Sequence, residues 1–208
     1  MWAYITQGLS LGFSAGAMPG PFASYLIGVT LLYGWRRAIW VILSPLITDG
    51  PIILLAVVVL RQMPPALIAL IQLVGGIYLL WVSYGGVKRL RKGVTLEANP
   101  NAGRSALGRG LIMNWLNPGP YIFWATISGP LLVSALRESL LHGAAFLLCF
   151  YGMLLLGLAG YVVIFDRLRH LDQRVVKLIF IITTLVMLLF GLSLISQGIT
   201  ALITPASG

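Results

Sequence analysis

With a single exception, charge is confined to the joints of this chain. Between the joints lie six apolar runs, at about 5–32, 38–60, 65–86, 111–134, 141–165 and 178–202. At about 1.5 Å per residue, roughly twenty residues carry a helix across a hydrocarbon core. Every run meets that length. With 59% of its 208 residues hydrophobic and 9% charged, the chain lies far from the balance of a soluble domain. The expected fold is an all-α membrane protein of six transmembrane helices, with no room for a separate soluble domain. The first run lacks a basic leader and is too long for a signal-peptide core, so it is expected to remain as a membrane helix.

A net charge of +9 raises the question of nucleic acid, and the placement of the charges answers it. Arg36 and Arg37 follow the first run. Lys88, Arg89, Arg91, Lys92, Arg104 and Arg109 follow the third, and Arg167, Arg169, Arg174 and Lys177 follow the fifth. Only Arg61 and Arg137 fall on the opposite side. Cytoplasmic loops collect Lys and Arg, so the basic loops are expected in the cytoplasm and both termini outside. The basic residues then act as topology signals and contacts for anionic lipid rather than as a nucleic-acid surface. Cys149 stands alone, so no internal disulfide can form, and a small packing residue is its expected role.

The segment 88–109 is the one long polar connector, with turn formers at Asn99-Pro100-Asn101. It divides the chain into a first repeat at about 1–87 and a second at about 110–208. Three spans in each half turn the second upside down relative to the first, which is the arithmetic of an inverted repeat. Two tripeptides match across the halves: Pro19-Gly20-Pro21 and Pro118-Gly119-Pro120. Proline removes a donor and clashes with the preceding turn, so helices 1 and 4 are expected to break there. New half-helices should then begin near Phe22 and Tyr121. Broken helices in a bilayer are tolerated where protein or a watery cavity receives the freed backbone groups. A fainter match joins Leu73-Val74-Gly75-Gly76-Ile77 to Leu188-Leu189-Phe190-Gly191-Leu192.

Asp49 is the one acidic residue inside a run. It lies eleven positions past the cytoplasmic end of the second span, about 16 Å deep. Intramembrane carboxylates usually face a cavity or a partner, and no Lys, Arg or His is available at that depth. Asp49 must be protonated, hydrated, bonded to local backbone, or paired with a cation from outside the protein. Beside Gly50-Pro51 it also reads as the cap of a second half-helix.

The half-helix starts at the two tripeptides attract anions through free N–H groups and the helix dipole. A zwitterion fits the pair: its carboxylate on a half-helix start, its ammonium toward Asp49. Asn114 and Asn117, flanking the second break, either satisfy freed carbonyls or read the polar end of a substrate. Thr48, Ser44 and Ser128 are weaker candidates of the same kind. Tyr25, Trp81, Tyr84, Trp115, Tyr121 and Trp124 line a pocket or anchor at the interface. Gly8, Gly12, Gly16 and Gly20 recur every four residues. They form a close-packing face, a substrate path or a homodimer interface.

Several chemistries are missing. No GxxxxGK[ST] sequence binds ATP phosphates, and no HExxH or Cys/His cluster suits zinc. Too few titratable groups lie inside the runs to build a nucleophilic triad or a carboxylate pair. The chain therefore reads as a non-enzyme, with no cofactor and no metal.

In these residues the sequence resembles the LysE/RhtB family of bacterial amino-acid exporters. Gly8 to Pro21, ending in Met18-Pro19-Gly20-Pro21, is similar to the family's first-helix motif. Gly34-Trp35-Arg36-Arg37 resembles its basic turn, and Gly75 to Leu80 its third-helix pattern. Asn114 to Pro118, with Phe123, resembles the Asn-Pro signature of its fourth helix. The order and spacing of these short motifs carry more weight than any one of them. Ser44-Pro45 and Gly119 depart from the pattern, which has small glycine-type residues at the first place and often Lys at the second. The resemblance implies a proton-coupled secondary exporter of amino acids or related metabolites in the bacterial inner membrane. Its expected partners are a small zwitterion, protons and lipid, without nucleic acid. The expected substrate site is Pro19, Gly20, Pro21, Asp49, Asn114, Asn117, Pro118, Gly119 and Pro120, with Asp49 also coupling protons. The rival readings are an inorganic cation exporter and a non-transporting membrane scaffold subunit.

Overall fold

The computed structural model describes residues 1–18, 20–58, 65–92, 102–170 and 172–203, which are helical nearly throughout and contain no β-strand. The helices are α1 (Trp2–Ala17), α2 (Pro21–Tyr33), α3 (Trp35–Ile42), α4 (Ser44–Val58), α5 (Pro65–Lys92) and α6 (Ala102–Trp115). After them come α7 (Pro118–Phe123), a π turn (Trp124–Ser128), α8 (Gly129–Glu138), α9 (Leu140–Leu168) and α10 (Gln173–Ile203). Five segments are long and apolar enough to cross a membrane: Trp35–Leu55, Ala69–Lys88, Pro118–Glu138, Leu140–Leu168 and Gln173–Ile203. Helices α1 and α2 make a sixth if taken as one span bent by 62°. Large apolar side chains such as Leu148, Leu156 and Ile203 point outward, as they do toward lipid.

Two boundaries differ from the sequence expectation. The fourth run is two helices meeting at Leu116-Asn117, so its membrane-length part starts at Pro118 instead of 111. The connector is shorter than expected, because α5 continues to Lys92 and α6 starts at Ala102; residues 93–101 lie outside the described ones.

Small residues set the helix pairing. A Cβ on Gly8, Gly12 or Gly16 would meet the backbone carbonyl of Phe146, Phe150 or Leu154. Both series advance by four, so α1 and α9 run parallel in close contact. Gly157 of α9 returns the contact against the Gly16 backbone. The glycine face is thus filled by α9 within the same chain. It is neither an open path nor a surface left for a second copy. Gly20 does not share it, since a Cβ there meets nothing within 4 Å. Helices α5 and α10 run antiparallel: Gly76 meets Gly191 and Ile195, while Gly198 meets Ala69 and Leu73. In the middle lies α2, apolar on every side and buried from Ala23 to Leu32.

Candidate functional site

Asp49 is 5% exposed and sits within α4, which runs on through Pro51. The expected cap of a second half-helix at this point is therefore not formed. The second span is interrupted earlier, at Leu43, between α3 and α4. Proline at 51 still removes the bond that its N–H would have given the Ile47 carbonyl.

Three helices converge on the carboxylate. Asn114 Nδ2, near the end of α6, donates to Asp49 Oδ1 at 3.0 Å and to Thr48 Oγ1. Tyr151 Oη, near the middle of α9, donates to Asp49 Oδ2 at 3.2 Å. Thr48 Oγ1 passes its own hydrogen to the Ser44 carbonyl at 2.9 Å. The Trp124 indole also faces the carboxylate. Trp124 opens the π turn and is 1% exposed. Its ring stacks near Tyr151 at 6.5 Å and meets Phe150 edge-on at 5.1 Å. Every group around the carboxylate is a neutral donor or an aromatic ring. Among the described residues no Lys, Arg or His pairs with it; the ion pairs His142–Glu138 and Arg169–Asp166 lie elsewhere.

The hydroxyls of Ser44 and Ser128 lie beside this centre on α4 and at the end of the π turn. Both residues are fully buried, and their Oγ atoms have no partner. A π turn widens a helix locally and often marks a functional position. Here it brings Trp124 and Ser128 to the side of the helix that packs on α4.

The two proline tripeptides behave differently from each other. Pro19 lies outside the described residues. Helix α2 starts at Pro21, with Gly20 extended before it and no side-chain cap. Helix α7 starts at Pro118, the first residue of its tripeptide, so Gly119 and Pro120 lie inside the first helical turn. The expected starts near Phe22 and Tyr121 move to Pro21 and Pro118, because proline is well suited to the first helical position. Asn117 is the N-cap: its Oδ1 accepts from Gly119 N at 3.0 Å. It satisfies a backbone donor, where a freed carbonyl or a substrate was expected. Those carbonyls are met otherwise. Tyr121 Oη donates to the Trp115 carbonyl at 2.9 Å, and the Leu116 carbonyl lies against Gly75, which has no Cβ to obstruct it.

Of the expected site residues, the structure joins Asp49 and Asn114 directly. It leaves Asn117 as a cap and Gly119 exposed. Tyr151 was missed by the sequence reading. Its signal is a tyrosine hydroxyl near the middle of a largely apolar span, where the other one, Tyr161, lies nearer the end. Trp81, Tyr84 and Trp115 are exposed, as interface anchors are, whereas Tyr121 and Trp124 are buried near the carboxylate.

A cavity of about 110 Å³ sits between α2, α5, α6 and α10, at the end of the molecule that carries Arg36, Arg37, Lys88 and Arg109. Helix α6 has Ala106 and Arg109 on this cavity and Asn114 on the carboxylate.

A bundle of membrane-length helices, with a buried carboxylate held by neutral donors at the junction of three of them, is the architecture of an integral membrane transport protein. The chain belongs to the LysE type translocator family, whose model matches residues 13–198. Members of this family are transporters, not enzymes. Comparison with curated proteins and with solved structures returns no match.

Proposed function

We propose that this protein is a proton-coupled secondary exporter of amino acids or related small zwitterions in the bacterial inner membrane. One observation carries the reading: a buried carboxylate whose protein neighbours are all neutral. An uncompensated charge in that position is expensive. Its counter-charge comes from outside the protein, as a proton in one phase and a substrate ammonium in the other. Family membership supports transport of a small molecule, and the donor set supports a cation at Asp49. Substrate binding is assigned to Asp49 and Asn114, together with the helix starts at Gly20-Pro21 and Pro118-Gly119-Pro120. Asn117 shapes the second start. Pro19 belongs to the same proposal by sequence alone.

The halves 1–87 and 110–208 act as inverted repeats in this proposal, joined by the connector 88–109. Gly76 and Gly191 are the matched glycines of the faint repeat, and they lie against each other where α5 crosses α10. Equivalent residues touching across antiparallel helices are what a two-fold axis in the membrane plane produces. The alternating helix directions and the basic end support termini outside and basic loops in the cytoplasm.

The test is transport by purified protein in proteoliposomes carrying a pH gradient. Labelled amino acids are screened for counterflow and for proton-driven accumulation, with divalent and monovalent metal flux measured in parallel. The expected outcome is amino-acid flux that follows the proton gradient in the wild type and loses that dependence in Asp49→Asn. Gradient-driven flux at the wild-type rate in Asp49→Asn removes the proton role. Metal flux without amino-acid flux replaces the reading by that of a cation exporter.

A further inference from the structure

The cavity at the basic end is absorbed neither by Asp49 nor by the proline breaks. Its polar walls are hydroxyls and one guanidinium, with Ser24, Tyr25 and Tyr33 among the hydroxyls. Ser83, Thr183 and Thr184 line it and are at most 7% exposed. Each has already spent its hydroxyl hydrogen. Ser83 Oγ donates to the Leu79 carbonyl at 2.7 Å, and Thr183 and Thr184 both donate to the Phe180 carbonyl, at 3.1 and 2.7 Å. A hydroxyl has one hydrogen and two lone pairs, so these three side chains can only accept from anything that enters. Arg109, a pure donor, lines the same cavity from α6, its guanidinium 5.8 Å from the centre of the Trp81 ring. Among the described residues no Asp or Glu lines it. Glycines keep it open. A Cβ on Gly85 meets no heavy atom within 4 Å, whereas Gly86 lies directly against Thr184.

We propose that this cavity is a second binding station on the transport route. It takes the zwitterionic head of an amino acid, with the carboxylate on Arg109 and the ammonium among the hydroxyls of Ser83, Thr183 and Thr184. An ammonium is three donors without an acceptor, and a carboxylate is acceptor only. The cavity offers the complement of each in one space, Arg109 for the carboxylate and the hydroxyl oxygens for the ammonium. Arg binds carboxylate with two parallel N–H bonds, which fixes orientation as well as charge. The station lies at the end where substrate enters an exporter, with α6 between it and the Asp49 centre. The inference rests on the transport reading above and adds a head-group recognition site that Asp49 does not provide.

The experiment measures melting of the full chain in detergent micelles against each of the twenty amino acids. For every one that raises Tm, its amide and its des-amino acid follow, and proteoliposome counterflow is run on the same variants. The expected result, read in the Asp49→Asn background so that the station alone reports, is a Tm rise with the amino acid alone. It is lost in Gly85→Leu, which fills open space, and in Thr183→Val/Thr184→Val, which removes acceptors at constant shape. Arg109→Gln should weaken binding about tenfold or more, with partial recovery in Arg109→Lys. Amino-acid binding and counterflow unchanged in Gly85→Leu and Arg109→Gln overturn the station and leave the transport reading standing. Equal Tm rises with the amide or the des-amino acid overturn the zwitterion assignment. Wild-type protein that moves no amino acid overturns the transport reading, and the station with it.

Discussion

Replacing Asn114 by Leu keeps the number and branching of the side-chain heavy atoms and deletes its amide. Two acceptors then lose a donor: Asp49 Oδ1 at 3.0 Å and Thr48 Oγ1. Asn114 and Asp49 are each 5% exposed and Thr48 is 1% exposed, so water does not replace the amide freely. A hydrogen bond to a charged acceptor contributes about 1.5–3 kcal/mol, and one to a neutral acceptor about 0.5–1.5 kcal/mol. The single substitution should therefore destabilise the protein by roughly 2–4.5 kcal/mol. With Asp49→Leu already present, the charged acceptor is gone, and Asn114→Leu should cost only about 0.5–1.5 kcal/mol. The difference, about 1.5–3 kcal/mol, is the coupling that a double-mutant cycle isolates. Reversible SDS titration of the wild type, both single variants and the double variant, followed by circular dichroism, measures it. Additivity within about 0.5 kcal/mol refutes the reasoning, because it means that Asn114 and Asp49 do not support each other.

Gly12→Ala should lower stability by about 1–3 kcal/mol, since its methyl falls on the Phe150 carbonyl, whereas Gly20→Ala should stay within about 0.5 kcal/mol of wild type; the same SDS titration compares them. Asn117→Ala removes the cap on Gly119 N and should cost about 1 kcal/mol, with Asn117→Ser recovering most of it. Asp166 Oδ1 accepts from Trp35 N at 2.9 Å and pairs with Arg169 at 3.5 Å, tying the α2–α3 turn to the end of α9. Asp166→Ala should lower Tm slightly, by an amount worth about 1 kcal/mol or less because the pair is partly exposed. Gly34→Ala should lower it further, because Gly34 has φ +81° and its added methyl overlaps the Arg169 guanidinium.

The sequence by itself determined the elements that depend on local chemistry and on lipid. Apolar length gave the membrane helices, because hydrocarbon demands that a backbone bond within itself. The scarcity of charge singled out Asp49, because an acid at that depth is too expensive to be incidental. The four-residue glycine spacing announced a close helix contact. Which helix fills that face is a tertiary matter, since Gly8, Gly12 and Gly16 meet backbone more than a hundred residues away. The same holds for the site. Asn114 was readable as a buried amide beside a break, but its partner at Asp49 follows from the packing of α6 on α4. Tyr151 was invisible for that reason: its hydroxyl gains meaning only when α9 brings it to the carboxylate. The start of α7 was misjudged by three residues, because Asn117 caps the helix and makes Pro118 its first residue rather than its breaker. The cavity at the basic end also belongs wholly to the tertiary structure. Ser83, Thr183, Thr184 and Arg109 come from three helices, and only their assembly sorts acceptors from donors around one space.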